Sequence, residues 1–157
     1  MQKITTTFLM DDRIEEAVKF YVSVFKDAKV TDTAYYPDAK PGVKGKVLTM
    51  SFVLAGEEYL AINGGIGPQF NDSISLMVHC DDQAEVDRYW SALTANGGAE
   101  GPCGWLKDRF GLSWQITPKQ MAGLIGGPDK AGAQRAMAAM MQMHKIVLAD
   151  IEKAYAG

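Results

Sequence analysis

Apolar and small polar side chains alternate along several short stretches, and between these stretches apolar residues recur every three or four positions. Alternation with period two marks a half-buried strand, whereas a 3.6-residue period marks an amphipathic helix. Residues 4–10 divide into Ile4, Thr6, Phe8 and Met10 on one side and Thr5, Thr7 and Leu9 on the other. Asp11 and Asp12 then supply a turn and a helix cap, after which Ile14, Ala17, Val18, Tyr21 and Phe25 follow at helical spacing. Residues 29–36 read as a second strand. Residues 45–54 and 58–63 read as a hairpin closed by Ala55, Gly56 and Glu57. The order is βαβββ.

The same order then restarts. Residues 73–80 form a strand pattern, residues 82–96 a helix pattern, and residues 99–107 short strand-like segments. A turn at Asp108, Arg109, Phe110 and Gly111 precedes a last strand over residues 112–117, ended by Pro118. Phe20 and Tyr21 in the first helix align with Tyr89 and Trp90 in the second, as a duplication would produce. The expected organisation is one α+β domain over residues 1–157. Its first half is 1–65, its linker 66–72, its second half 73–118 and its C-terminal helical extension 119–157. In that extension Gly126, Gly127, Pro128 and Asp129 cap a run that puts Met137, Met140, Met141 and His144 on one stripe. Methionine fills irregular apolar gaps, so the stripe reads as core or subunit contact, with a ligand or metal role as the alternative. A second short helix ends at Tyr155.

Each strand face can be written out. Ile74, Leu76, Val78 and Cys80 oppose Ser73, Ser75, Met77 and His79; Leu48, Met50, Phe52 and Leu54 oppose Thr49 and Ser51. Trp114 and Ile116 oppose Ser113, Gln115 and Thr117, and Leu60 and Ile62 oppose Tyr59, Ala61 and Asn63. The apolar sides belong under helices. The other sides are either solvated or the lining of a neutral pocket. They hold Thr, Ser, Asn and Gln with Tyr59 and Met77, and almost none of the Lys or Glu that covers a solvated sheet, which favours the pocket. The candidate ligand-binding residues are Thr5, Thr7, Thr49, Ser51, Tyr59, Ser73, Ser75, Met77, Trp105, Ser113 and Gln115.

Composition narrows the class. With 47% hydrophobic and 22% charged residues, 157 residues suffice for a globular core. A net charge of −3 gives no basic footprint for nucleic acid, which is not expected as a partner. No apolar run is long enough to cross a bilayer, and no apolar leader follows Met1, so a cytoplasmic protein without membrane contact is expected. Its two cysteines, Cys80 and Cys103, should then stay reduced.

The segment Gly104-Trp105-Leu106-Lys107-Asp108-Arg109-Phe110-Gly111-Leu112-Ser113-Trp114-Gln115-Ile116-Thr117-Pro118 resembles the signature of the PhnB-like family, once labelled 3-demethylubiquinone 3-methyltransferase. Residues 17–25, 67–72, 80–87 and 155–157 fit the same family. The resemblance implies the vicinal-oxygen-chelate (glyoxalase/bleomycin resistance/dioxygenase) fold, with two βαβββ modules forming a curved mixed sheet around a cavity, usually in a homodimer. Many members of that superfamily hold a divalent metal through His and Glu. The corresponding positions here are Thr5, a position near Ala61, Ser73 and Gln115, none of them a strong metal ligand. Neither metal nor cofactor is therefore expected.

Other chemistry is sparse. His79 with Cys80, Asp81 and Asp82 is a compact group, but alternation turns His79 and Cys80 to opposite faces, and a metal site there needs a bulge; Asp81 or Asp82 can instead cap the second helix. Cys103 is the candidate nucleophile, against a reading as a spectator thiol. Asp108 reads as a turn cap, with general acid as the alternative. A Rossmann methyltransferase would need a glycine-rich loop between a parallel strand and a helix, and the glycines fall elsewhere. Three functions remain open: metal-free binding of a small polar molecule with unknown reaction, a metal-dependent lyase, isomerase or dioxygenase of the superfamily, and a structural dimer with a vestigial cavity.

Overall fold

A computed structural model describes residues 3–37, 42–65, 67 and 69–157. Contacts divide the chain into two compact units, residues 1–69 and 70–157. In the first unit, β1 (Thr6–Met10) leads into α1 (Ile14–Val24), followed by β2 (Lys29–Tyr35), β3 (Val47–Leu54) and β4 (Glu57–Asn63). The strands form one mixed sheet in the order β1-β4-β3-β2, with β1 and β4 parallel and the remaining pairs antiparallel. The helix forms because Ile14, Ala17, Val18 and Tyr21 make a stripe, and that stripe is buried. The Tyr21 ring stacks on Phe52 with centroids 6.4 Å apart, and Phe8, Met10, Met50 and Ala61 of the sheet are buried with Phe52, all under 9% exposed. Full burial of an aromatic such as Phe52 stabilises by about 1.5–3 kcal/mol.

The expected cap at Asp11 and Asp12 takes another form. Arg13 is the N-cap residue and makes no side-chain cap. Asp11 instead accepts the Arg13 backbone N–H at 3.0 Å and its guanidinium at 2.9 and 2.7 Å, which braces the turn before the helix. That guanidinium also holds the Asp11 carboxyl below its ordinary range.

The second unit repeats the topology. β5 (Leu76–Cys80), α2 (Gln83–Thr94), β6 (Ala99–Glu100), β7 (Trp105–Lys107) and β8 (Ser113–Pro118) give a sheet ordered β5-β8-β7-β6, with β5 and β8 parallel and the remaining pairs antiparallel. Asp82 caps α2 by accepting the Glu85 N–H at 2.8 Å, and Glu85 accepts the Asp81 N–H at 2.9 Å. Val86, Trp90 and Leu93 of α2 are buried, as are Leu106, Trp114 and Ile116 of the sheet.

The C-terminal segment contains α3 (Met121–Gly126), α4 (Lys130–Met140) and α5 (Leu148–Ala156). Asp129 caps α4 through the N–H groups of Ala131 and Gly132. The expected methionine stripe is broken, because α4 ends at Met140. Met137 and Met141 are exposed, whereas Met140 packs with Met143 against Met121, Ala136, Ile146 and Ile151. Among the described residues no helix is long and apolar enough to cross a membrane.

Candidate functional site

The uncovered face of each sheet follows from register. In the first unit Thr7 pairs with Leu60, Leu60 with Ser51, and Thr49 with Ile62. Thr7, Thr49 and Ser51 therefore share the face away from α1 with Leu9, Leu60 and Ile62. Thr5 lies just before β1, exposed. Tyr59 is a correction. It pairs with Thr6 and Phe52, and its ring stacks on Phe8 at 5.6 Å and on Phe52 at 5.5 Å, so it belongs to the helix-covered side. Burial accordingly pushes its phenol above its ordinary pKa. Ala61 and Asn63 lie on that covered side too; Asn63 is buried and donates to the Val47 carbonyl at 3.0 Å, where it locks the strand end.

The second unit concentrates more chemistry. Met77 pairs with Gln115, His79 with Thr117, Gln115 with Trp105, and Ser113 with Lys107, so these seven side chains share the face away from α2. Ser75 joins them, its hydroxyl accepting the Gln115 Nε2–H at 2.8 Å. Ser113 donates to Asp72 Oδ1 at 3.0 Å, and Lys107 Nζ stands 3.0 Å from the same oxygen. Lys107 first and Ser113 second hold the Asp72 carboxyl below its ordinary range. Ser73 and Ile74 lie outside the regular strand and are exposed, contrary to the expected burial of Ile74 beneath a helix.

Two cavities open on this face, and Trp105 lines both. One, of about 530 Å³, is bordered by Asp72, Glu100, Pro102, Lys107 and Ser113. The other, of about 370 Å³, has Met77, His79, Cys103, Gln115 and Thr117 on the sheet side and Met121, Ile125, Met140 and Ile146 on the helical side. The sequence-derived residues Met77, Trp105, Ser113 and Gln115 thus reach these cavities, and Ser75 meets them through Gln115. Sequence reading left out Thr117, which alternation had placed on the right face, and the helical wall, for which no short-range pattern exists.

The remaining polar groups have structural work. Asp108 is buried and accepts the N–H groups of Phe110 and Leu112 at 2.8 and 3.1 Å and the Trp114 indole N–H at 2.8 Å. Asp82 is engaged as the α2 cap, and Asp81 is ion-paired with Lys119. Cys80 is buried beneath α2, facing away from His79. Cys103 sits at positive φ, its Sγ 3.8 Å from Met141 Sδ. Neither strand-to-helix turn, Asp11 to Arg13 or Asp81 to Asp82, contains glycine, so no dinucleotide-type loop exists there.

Comparison with known proteins agrees with this architecture. The family described as 3-demethylubiquinone-9 3-methyltransferase matches residues 2–117. A putative 3-demethylubiquinone-9 3-methyltransferase, PhnB protein, from Bacillus cereus is 32% identical with a TM-score of 0.66, over 74% of this chain and 99% of the relative. A Pseudomonas aeruginosa protein is 18% identical with a TM-score of 0.62, over 76% and 98%. A fosfomycin resistance protein from Listeria monocytogenes, solved with Mn(II) and sulfate, is 16% identical with a TM-score of 0.51, over 74% and 91%. The last two show the fold alone. No curated protein matches the chain. With a paired βαβββ topology and a family match over most of its length, the chain belongs to the 3-demethylubiquinone-9 3-methyltransferase family, that of the Bacillus cereus PhnB protein.

Proposed function

We propose that this protein binds a small, uncharged or weakly anionic polar molecule on the open face of its second sheet, through neutral hydrogen-bonding groups rather than a divalent metal. The observation that carries this reading is the grouping of Gln115, bonded to Ser75, with Thr117, His79 and Trp105 around a half-open cleft of about 370 Å³. The hydroxyl and amide groups supply orientation, and Trp105 supplies a flat apolar contact.

A metal is implied by the wider superfamily, and the Listeria protein was solved with Mn(II). The donor set here does not suit one. Thr5, Ala61, Ser73 and Gln115 at the corresponding positions offer two hydroxyls, one methyl and one amide, where imidazole or carboxylate is needed. Ala61 is buried on the covered side of its sheet, and the Gln115 amide is already bonded to Ser75. Among the described residues no group of three His, Cys, Asp or Glu side chains could hold an ion. The methyltransferase wording of the family is not adopted as chemistry, because the glycine-free turns offer no cradle for an adenosyl cofactor of the Rossmann type.

The same reading includes a cytoplasmic homodimer, as the family resemblance implies, and sedimentation would report twice the 17.1 kDa chain mass. The direct test of binding is a thermal-shift screen of tag-free, chelator-treated protein against millimolar butanamide, hexanamide, 1-hexanol and hexanoate. A ligand selective for the native state raises apparent stability, by about 1.4 kcal/mol at ten times its Kd. The expected result is stabilisation by at least one of these compounds without added metal, lost in Gln115→Leu. Stabilisation that appears only after addition of Mn(II) or Zn(II) would favour a metal-dependent enzyme, and none under any condition would favour a structural dimer.

A further inference from the structure

The family match ends at residue 117, and 99% of the Bacillus relative is covered by 74% of this chain. The three C-terminal helices lie beyond that match, yet they are fastened to the second sheet. Cys103 N donates to the Met143 carbonyl at 2.7 Å and Gly104 N to the His144 carbonyl at 2.7 Å. The Gln83 side chain donates to the Ile146 carbonyl at 3.0 Å and accepts the Leu148 N–H at 2.8 Å. Ile146 is buried, and its Cγ1 would stand 3.1 Å from a Cβ on Gly104, a residue at φ +83°. A glycine is required there by both the left-handed backbone and the close approach.

These ties hold Met121, Ile125, Met140 and Ile146 over the sheet residues Met77, Gln115 and Thr117. One side of this half-open cleft is hydrocarbon and thioether, and the other carries an amide, a hydroxyl and an imidazole. The ammonium in the lining, Lys119, is ion-paired with Asp81. A ligand carboxylate would thus surrender hydration against a wall whose cation is already engaged.

We infer that the C-terminal extension is the ligand-selecting wall of this site. Its occupant is a small uncharged amphiphile, with a hydrogen-bonding head at Gln115, Thr117 and His79 and an apolar body against Met121, Ile125, Met140 and Ile146. The inference rests on the reading of the second sheet's open face as a binding surface. Met121 and Met140 in the wall, with Met77 on the sheet opposite, make the cleft deformable, so a range of apolar bodies is accommodated.

The test uses full-length protein with ¹³C-methyl methionine, titrated with 1-hexanol and, in parallel, hexanoate. The expected result is saturable shifts at Met77, Met121 and Met140, none at Met10 and Met50 in the first unit's core, and hexanoate at least tenfold weaker. Ile125→Trp should fill the cavity and weaken 1-hexanol at least tenfold, and Ile125→Ala should move the preferred alcohol to a longer chain. Ala122→Trp, at the rim, should also weaken binding tenfold, and it guards against a folding defect at Ile125. Unchanged affinity in both tryptophan variants overturns the wall; if Gln115→Leu then abolishes binding, the open face survives and only the wall has failed. Absence of saturable shifts at Met77, Met121 and Met140 overturns both.

Discussion

The carboxylate of Asp108 accepts the indole N–H of Trp114 at 2.8 Å while its other oxygen accepts the backbone N–H groups of Phe110 and Leu112. The most acidic-looking candidate in the family signature is therefore built into the turn that delivers β8. Asp108→Asn leaves one oxygen for the two backbone groups and turns an amide N–H against the indole N–H. We expect a loss of roughly 2–3 kcal/mol, since an unsatisfied buried donor costs about 1–3 kcal/mol. Trp114→Phe in the same chain should recover part of that loss, and urea denaturation of the four-member cycle measures it. Additive losses would show that the pair is not coupled.

The two thiols should differ. Cys80 is buried and desolvation pushes its pKa up to about 12, whereas Cys103 is only partly covered. A thiol reagent at pH 8 is expected to titrate one group per native chain and two in guanidinium. The shift also has a stability consequence with a definite sign. The folded thiol keeps its proton while the unfolded one, at its ordinary value of 9.0, loses it, so stability falls as pH rises from about 9 toward 12. The slope approaches about 1.4 kcal/mol per pH unit and should flatten in Cys80→Ala, as chemical denaturation at pH 8 and pH 10.5 would reveal.

Tyr59 is half-buried and packs against the core of its unit through Phe8 and Phe52. Tyr59→Phe keeps the stack on Phe8 and Phe52 and should change stability by less than about 0.5 kcal/mol, while Tyr59→Ala should cost about 2 kcal/mol. Neither should alter 1-hexanol affinity at the second sheet. A change in affinity without a change in stability would return Tyr59 to the list of ligand contacts.

Gly104 couples signature and extension. Gly104→Ala forces a side chain into left-handed backbone, at about 1–2 kcal/mol, and pushes against Ile146 and the Ile116 carbonyl. The expected outcome is a loss of roughly 2–4 kcal/mol together with altered Met121 and Met140 methyl resonances. Methyl spectra indistinguishable from wild type would show that the seat of Ile146 does not depend on this glycine.

Much of the fold was legible because its signals are local. Period-two alternation located β1, β3, β5 and β8, and the stripes Ile14-Ala17-Val18-Tyr21 and Val86-Trp90-Leu93 located the two crossover helices. What failed was information that strands do not carry alone. Residues 58–63 show two alternating sets, and alternation alone leaves open which set meets α1; pairing with Phe8 and Phe52 puts Tyr59 on the covered side. α3 spans six residues, too few for a helical period to emerge. The methionine stripe ran past Met140 because nothing local in composition marks the stop, although Cys103 and Gly104 draw the following residues into sheet-like bonds. In the site, Met77, Ser113 and Gln115 follow from alternation and Trp105 from its place in the signature segment, while Ile125 and Ile146 join Gln115 in one cleft only through the tertiary fold.

The central question is whether the Gln115 face takes a ligand without help from an ion. Tag-free protein stripped by a strong chelator should bind 1-hexanol with the same dissociation constant as untreated protein, read from the Met77 methyl resonance, and Gln115→Leu should weaken it at least tenfold. Binding that vanishes on chelation and returns with Mn(II) would contradict the account.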